Sequence, residues 1–565
     1  MLSPRVRFGL LATALALGAL ILYGQCVGFS FIRLDDPDYT FACAFVKNGL
    51  TFGGVREAFT NLRHGGIWMP LTYLSYMADI SLYGSVPAGH HLTSIVLHAV
   101  NVALLFALLL KLLPERNRDA VLIAFFAAAF WAVHPQRVEA VAWIASRKEL
   151  LWTLFALAGL LAWSCERFTL AFVFAALAAL AKPTAMVFPF LVLSLDLLLQ
   201  RRIRWLRMLP LLALAVATGL VALYSQTHPE GMAVKDVYYA PFGSRLLNAA
   251  TAVGLALRQL AMPSGLHLDY RLLPEEMPIA LAFFAALIVL VVFAARSARR
   301  RELGAALLWF AAALAPTLGI FASFGEQARA DRFLYLPMMA VSMLLVVLLR
   351  TPLSPRARRL GILIFALELG LLASITFSLT RTYRDDTAAF TRTVLCDPDH
   401  GRALAHLGEA ECAAGRLEEG IADLEHSLFV RPVPDTLGKL TYALMRRGQA
   451  EDFQKIEDLS LDLAANPQSD RKGQALEALG TARLHAHDWK NAAEYLYLSV
   501  TAPARFYSAE DAKFKLALAW YNLGRREDAK KLFDLLASSS RADLAERAKN
   551  ALIAVYEDPN ILLFL

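Results

Sequence analysis

Apolar runs of about 18–20 residues recur through the first two-thirds of the chain, each long enough to cross a hydrocarbon core of roughly 30 Å. Of 565 residues, 57% are apolar and 19% charged. A soluble chain of this length carries more charge and breaks its apolar runs more often. The chain is therefore read as an all-α, polytopic membrane protein. The first run, "FGLLATALALGALILYGQCVGFSFI", lacks an Ala-x-Ala cleavage site, and "LYGQC" is a poor lipoprotein signal, so it is read as a retained anchor. The net charge of +7 does not point to nucleic acid. The basic residues cluster in short loops between the apolar runs, as they do on the inner side of a membrane.

Those clusters set the expected topology. Arg5 and Arg7, "PERNR" at 114–118, "CER" at 165–167, "QRRIRWLR" at 200–207, "RSARRRE" at 296–302 and "RTPLSPRARR" at 350–359 are assigned inside. Spans are expected near 8–28, 90–113, 119–133, 149–164, 168–181, 185–199, 208–225, 279–295, 303–322, 333–349 and 360–379. That is about eleven, with the N-terminus inside and the C-terminal third outside. The run 244–261 would invert the two strongest basic loops if it spanned, so it is expected to be interfacial or re-entrant.

With that topology the unusual residues gather on the outer side: "RLDDPD", "HPQRVEAVAWIASRKE", "AKPT", "HPEGMAVKDVYY", "LDYRLLPEE" and "FGEQARADR". The first outside loop, 29–89, is long. Its stretches "VKNGLTFGGVREAFT" and "IWMPLTYLSYMADISLYG" alternate apolar and polar residues at helical spacing, as surface helices do. Asp35 and Asp36 open this loop. One carboxylate there can act as a general base toward a hydroxyl, and its neighbour can bind a divalent metal or orient the base. The competing reading is a capped turn, since Asp-Pro favours turns. His90, His91 and His98 stand at a helix entrance, where a metal site competes with ordinary buried polar residues. "HPQRVEAVAWIASRKE" brings His134, Glu139, Arg147 and Lys148 together, and two cations opening a helix suit a phosphate. Lys182 sits between two apolar runs, where a lysine can simply snorkel. Arg332 and Tyr335 lie at the outer end of a helix.

After about residue 380 charge becomes dense and the pattern changes to short paired helices. Leu407-Gly408, Gly415, Leu424, Ser427 and Pro432 recur in kind as Leu479-Gly480, Ala492, Leu496 and Ser499, and again as Leu516, Ala517, Trp520, Gly524, Ala529 and Phe533. The spacing is that of a tetratricopeptide repeat of about 34 residues. Three or four units, with 436–466 a degenerate one, are expected to stack with a concave face. Domains are thus expected at 1–380 and 381–565. Cys396 and Cys412 could pair in an oxidising space or remain buried thiols.

In order, "DDPDY", "NGLTFGGVREAFT", "WMPLTYLSYMADISLYG", "GHHLTSIVLHAVN", "HPQRVEAVAWIASRKELL", "AKPTAMVFPFLVLSLDLL" and "ADRFLYLP", followed by the repeats, resemble the transmembrane and tetratricopeptide-repeat O-mannosyltransferases and their bacterial relatives. These are C-type (GT-C), lipid-sugar-dependent glycosyltransferases. The resemblance implies inverting sugar transfer from a polyprenyl-phosphate donor to a hydroxyl acceptor. Asp35 would be the base, and Asp36 would hold Mg or Mn or orient the acceptor. Arg147, Lys148, Lys182 and Arg332 would bind the donor phosphate, with His91, His134, Glu139 and Tyr335 as substrate-binding candidates. It places the site at the outer face of the cytoplasmic membrane, with the repeats in the periplasm offering the acceptor a concave docking face. "TFACAFVKNG" departs from the more polar stretch expected there. A glycan or lipid acceptor, or a non-catalytic scaffold for envelope assembly, are the rival readings.

Overall fold

The structure, a computed structural model, describes residues 4–113, 118–227, 241–320, 329–349, 355–465, 472–502, 509–539 and 541–557. The stretch "HPEGMAVKDVYY" and the start of "FGEQARADR" lie outside the described residues. Among the described residues there is no β-strand. The chain forms two compact units, Met1–Arg392 and Thr393–Leu565.

In the first unit nearly every apolar run is a helix. α1 (Pro4–Tyr23) is followed by the loop, which carries α2 (Asp36–Tyr39), α3 (Phe52–Thr60) and α4 (Pro70–Tyr83). α5 (Pro87–Lys111) and α6 (Arg118–Val133) come next. At His134-Pro135 the chain bends by 61° into the short α7 (Val138–Ala142), because proline removes an N–H and its ring clashes with the preceding turn. α8 (Arg147–Ser164), α9 (Phe168–Ala181), α10 (Phe188–Leu198), α11 (Trp205–Thr227), α12 (Phe242–Ala261), α13 (Met277–Arg296), α14 (Arg300–Leu314), α15 (Met339–Leu348) and α16 (Pro355–Thr380) complete the bundle.

Six described segments are long and apolar enough to cross a membrane, or seven if the bent pair counts as one span, against about eleven expected from the apolar runs. The other runs are helical but differ in kind. α9 and α10 have 14 and 11 residues, too short at about 1.5 Å per residue for a full hydrocarbon core. α8 opens with Arg147, Lys148 and Glu149 in its first turn. The helix expected at 244–261 is present as α12 but is not among the crossing candidates. It lies against α13 at Gly254, where an added Cβ would fall 1.8 Å from the Ala280 carbonyl oxygen. Loop helix α4 turns most of its side chains inward: Thr72, Tyr73, Tyr76, Met77, Asp79 and Ile80 are buried. α3 leaves Phe52 87% exposed.

The second unit begins inside α17 (Asp386–Cys396) and continues as short helices joined by tight turns: α18 (Gly401–Ala413) with α19 (Leu417–Val430), α20 (Pro434–Arg447) with α21 (Ala450–Ala465), α22 (Lys472–His485) with α23 (Trp489–Thr501), and α24 (Glu510–Asn522) with α25 (Arg526–Leu536), then α26 (Ala542–Glu557). Gly408 lets α18 approach α19, since a Cβ there would sit 2.6 Å from the Gly420 carbonyl oxygen; Gly480 does the same against Leu496 at 2.4 Å. The paired serines also repeat a contact, Ser427 donating to Gly401 O at 2.7 Å and Ser499 to Gly473 O at 2.6 Å. Cys396 and Cys412 are not joined in a disulfide, and Cys412 is buried.

Candidate active site

The two aspartates that open the first loop have opposite environments. Asp36 is 1% exposed. Its Oδ1 accepts Ala145 N–H at 2.7 Å and its Oδ2 accepts Ile32 N–H at 2.8 Å, while its carbonyl accepts the Thr40 hydroxyl at 2.5 Å. It therefore ties the loop's first turn to the segment joining α7 and α8. Asp35 stands at the N-cap of α2, yet its carboxylate accepts no capping bond and takes no hydrogen bond among the described residues. It is half-buried. The turn is held by Asp36, and Asp35 is left free to react.

Burial pushes the Asp36 carboxyl up to about 7, against the lowering effect of the Ile32 and Ala145 amides. The protonated form is thus favoured by folding. The stability it contributes is complete below the ordinary value of 3.8 and is lost as pH rises through about 7. Asp36→Asn offers one acceptor where two amides point, so one buried N–H loses its partner at a cost of about 1–3 kcal/mol. Thermal unfolding should therefore show a lower Tm for Asp36→Asn at acidic pH. The wild-type Tm should fall between pH 5 and pH 8 more steeply than the variant's. Parallel pH slopes would mean that Asp36 does not titrate in this range.

Three cations lie near one another beside this turn. Lys148, in the first turn of α8, donates from Nζ to the Tyr39 hydroxyl at 3.1 Å and lies 4.4 Å over the Tyr39 ring. Lys148 and Arg332 both stand within electrostatic reach of Asp35. Arg332 sits in a 3-10 turn, Asp331–Leu334, with its guanidinium 5.0 Å from the Trp143 ring and 4.8 Å from the Phe333 ring. Lys182, just past the end of α9, lies 5.3 Å over the same Phe333 ring. Two buried glutamates complete the group. Glu139 pairs with the Arg332 guanidinium and accepts Arg332 N–H at 2.8 Å. Glu149 pairs with Lys182 and accepts Trp152 Nε1–H at 2.8 Å.

Arg147 does not join them. Its guanidinium is wholly buried and turned toward α4 and α5. It pairs with Asp79 at 2.5 Å and donates to the Ser75 hydroxyl at 3.1 Å and to His90 O at 2.7 Å. It also packs 4.5 Å from the Tyr76 ring. Neighbouring residues of a helix point about 100° apart, so Arg147 and Lys148 cannot both face the loop turn. The expectation that Arg147 shares one phosphate with the others is set aside on this geometry.

The substrate-binding candidates are also placed. Glu139 contacts Arg332 as above. His91 is buried edge-on to Phe29, with Nε2 3.5 Å from Ser30 O. His134 caps the turn after α6, accepting Gln136 N–H at 3.3 Å on Nδ1, with Nε2 3.2 Å from Leu260 O. The Tyr335 hydroxyl bonds His98 Nδ1 at 2.7 Å and accepts from Asn101 at 3.3 Å. His91 thus ties α5 to the start of the loop, His134 ties the bend after α6 to α12, and Tyr335 bonds α5.

The residues do not fit a divalent metal at Asp36. Both of its oxygens accept backbone amides, and among the described residues no three His, Cys, Asp or Glu side chains converge. No step below is routed through a metal. Glu149 was named in its motif without a role, and Tyr39, Trp143, Trp152 and Phe333 were not singled out from the sequence. Tyr39 closes "DDPDY" and Glu149 follows Lys148, so both lay inside motifs already quoted, but nothing in the spacing showed which neighbours would face the turn.

No family model matches the chain, and no solved structure is significantly similar. Curated proteins are, among them the following three. Protein O-mannosyl-transferase Tmtc1 of Drosophila melanogaster is 40% identical over 85 residues, 15% of this chain and 9% of that protein. Protein O-mannosyl-transferase F38B6.6 of Caenorhabditis elegans is 29% identical over 156 residues, 25% of this chain and 21% of that protein. Protein O-mannosyl-transferase TMTC3 of Homo sapiens is 34% identical over 97 residues, 17% and 10% of the two chains. The matches thus span between 9% and 21% of these relatives' lengths. The resemblance read from the motifs is to this same family.

Proposed function

We propose that the chain is an integral-membrane glycosyltransferase. It moves a sugar from a polyprenyl-phosphate donor to a hydroxyl, that of Ser or Thr in a protein, with inversion at the anomeric carbon. The observation that carries this reading is Asp35: an uncommitted carboxylate, fixed through its neighbour, within electrostatic reach of Lys148 and Arg332, with Lys182 close to both. In the step, the acceptor O–H proton passes to Asp35. The acceptor oxygen attacks the anomeric carbon, the bond from that carbon to the phosphate oxygen breaks, and its electron pair stays on the phosphate. Lys148, Lys182 and Arg332 stabilise the charge that builds there. Phe333, under two of these cations, also lines a small cleft with Ala252, Ala256, Gln259, Arg329 and Asp331. The named activity of the relatives supports a protein acceptor. The helix pairs of the second unit, read as tetratricopeptide repeats, offer a surface for it.

The test is transfer by the purified protein in lipid nanodiscs from a short-chain polyprenyl-phosphate sugar to Ser/Thr peptides. Sugar on peptide is the expected result. Transfer only to a glycan or lipid would overturn the acceptor, and no use of any prenyl-phosphate sugar would overturn the donor. The proposal also places the site and the second unit outside the cytoplasmic membrane, from the inside basic loops. A reporter active only in the cytoplasm, fused after Leu565, should be silent, and an active fusion would refute this orientation.

A further inference from the structure

We infer that Arg137 is a positioning residue for the transfer: it clamps the turn that carries Arg332, and so sets where that cation meets the leaving phosphate. The inference rests on the reading of Arg332 as a phosphate cation.

Arg137 lies in the motif "HPQRVEAVAWIASRKE" and has no part in the step above. It is 0% exposed, so it does not itself meet a substrate. From one nitrogen, Nη1, it donates to Leu334 O at 2.7 Å and to Tyr335 O at 2.8 Å. Its guanidinium is steadied 5.7 Å from the Trp131 ring and 5.8 Å from the Tyr335 ring. These carbonyls take side-chain donors because Pro337 interrupts the chain as a helix ahead of α15. The neighbouring bonds are of the same kind: Tyr335 O also accepts Trp131 Nε1–H at 2.9 Å, and Leu336 O accepts Trp309 Nε1–H at 3.1 Å.

The start of the turn is held from the same short segment. Glu139 accepts Arg332 N–H at 2.8 Å and pairs with its guanidinium. The 61° bend at His134-Pro135 lays this segment against the turn. A single contact would let the turn pivot. Two contacts, one at the Arg332 amide and one at the Leu334 and Tyr335 carbonyls, fix its orientation, and the Arg332 side chain leaves the backbone between them. Charge that builds in a transition state is best stabilised by a group already in place, and a small misplacement by a change far from the chemistry is costly. Arg137 therefore acts on the rate through Arg332.

The experiment uses the full-length protein in nanodiscs, a short-chain prenyl-phosphate sugar and a Ser/Thr peptide, with transfer counted per folded molecule. Arg137→Lys keeps the charge but its side chain is a bond shorter, so the two carbonyls must shift or lose their donor. Its kcat should fall by about 10–100-fold, with a smaller change in the KM for the donor. In an Arg332→Gln background the same substitution should change kcat by less than about twofold, because the two residues act as one unit. A loss of stability alone would leave transfer per folded molecule unchanged. Wild-type kcat in folded Arg137→Lys overturns the inference, since the charge alone would then suffice. Equal losses in both backgrounds also overturn it, since Arg137 would then act independently of Arg332. If Arg137→Lys is not recovered folded, Trp131→Phe is read instead: it keeps the ring, takes the other donor off Tyr335 O, and must show the same pattern at smaller size, or the clamp is refuted. Wild type that uses no prenyl-phosphate sugar overturns the reading of the site itself, which is a distinct outcome.

Discussion

Asp35→Asn should lower sugar transfer by about 10²–10⁴-fold, the usual contribution of a positioned base, while leaving the amount of folded protein unchanged. Asparagine keeps the size and polarity of aspartate but cannot take the acceptor proton. The fold has no stake in the charge, because the Asp35 carboxylate caps nothing and the turn is tied down by Asp36 through Ile32 and Ala145. Donor binding should survive, since Lys148, Lys182 and Arg332 are intact. The quantity to measure is transfer per folded molecule, with donor affinity recorded alongside. Equal transfer by variant and wild type would remove Asp35 from the chemistry.

Arg147→Ala should act on stability, by about 3–5 kcal/mol, the cost of leaving a buried ion pair with one member. Asp79 is 3% exposed, and besides Arg147 its Oδ2 has only the His90 ring, at 3.3 Å. Ser75 and the His90 carbonyl lose a donor in the same change. Arg147→Lys should recover little, because one ammonium cannot reach acceptors on α4 and α5 together. The double variant Arg147→Ala/Asp79→Ala should be less destabilised than the sum of the two single variants, as contacting partners are not additive. Unfolding in detergent, followed for all four proteins, reads this out. An Arg147→Ala protein of normal stability with weakened donor binding would return Arg147 to the phosphate.

The apolar helices were legible because a long apolar run has few alternatives; α5, α6, α8, α9 and α11 fall close to the expected runs. The count of crossings was less legible, since α9 and α10 are apolar but short. In the site, "DDPDY" announced itself by its charge at a membrane edge. Which aspartate is buried depends on the amides of Ile32 and Ala145, and Ala145 is 109 positions from Asp36. Likewise "SRKE" showed two cations and a carboxylate. Only the packing of α8 against α4, α5 and the end of α9 sends Arg147 to Asp79, Lys148 to Tyr39 and Glu149 to Lys182. His91, His134 and Tyr335 are residue types common in sites, and here they link helices.

The pairing of Glu139 with Arg332 also has a history in time. The two residues are 193 positions apart, and a ribosome adds roughly 5–20 residues per second. Glu139 therefore leaves the ribosome roughly 10–40 s before its arginine exists. Glu149 and Lys182 are 33 positions apart, so that pair is complete within about 2–7 s. While those 193 residues are added, the bent segment after α6 carries a carboxylate without its arginine, and it has reason to stay in water. The last cation of the group thus arrives with the segment before α15, and until then the two carboxylates are matched by Lys148 and Lys182 alone.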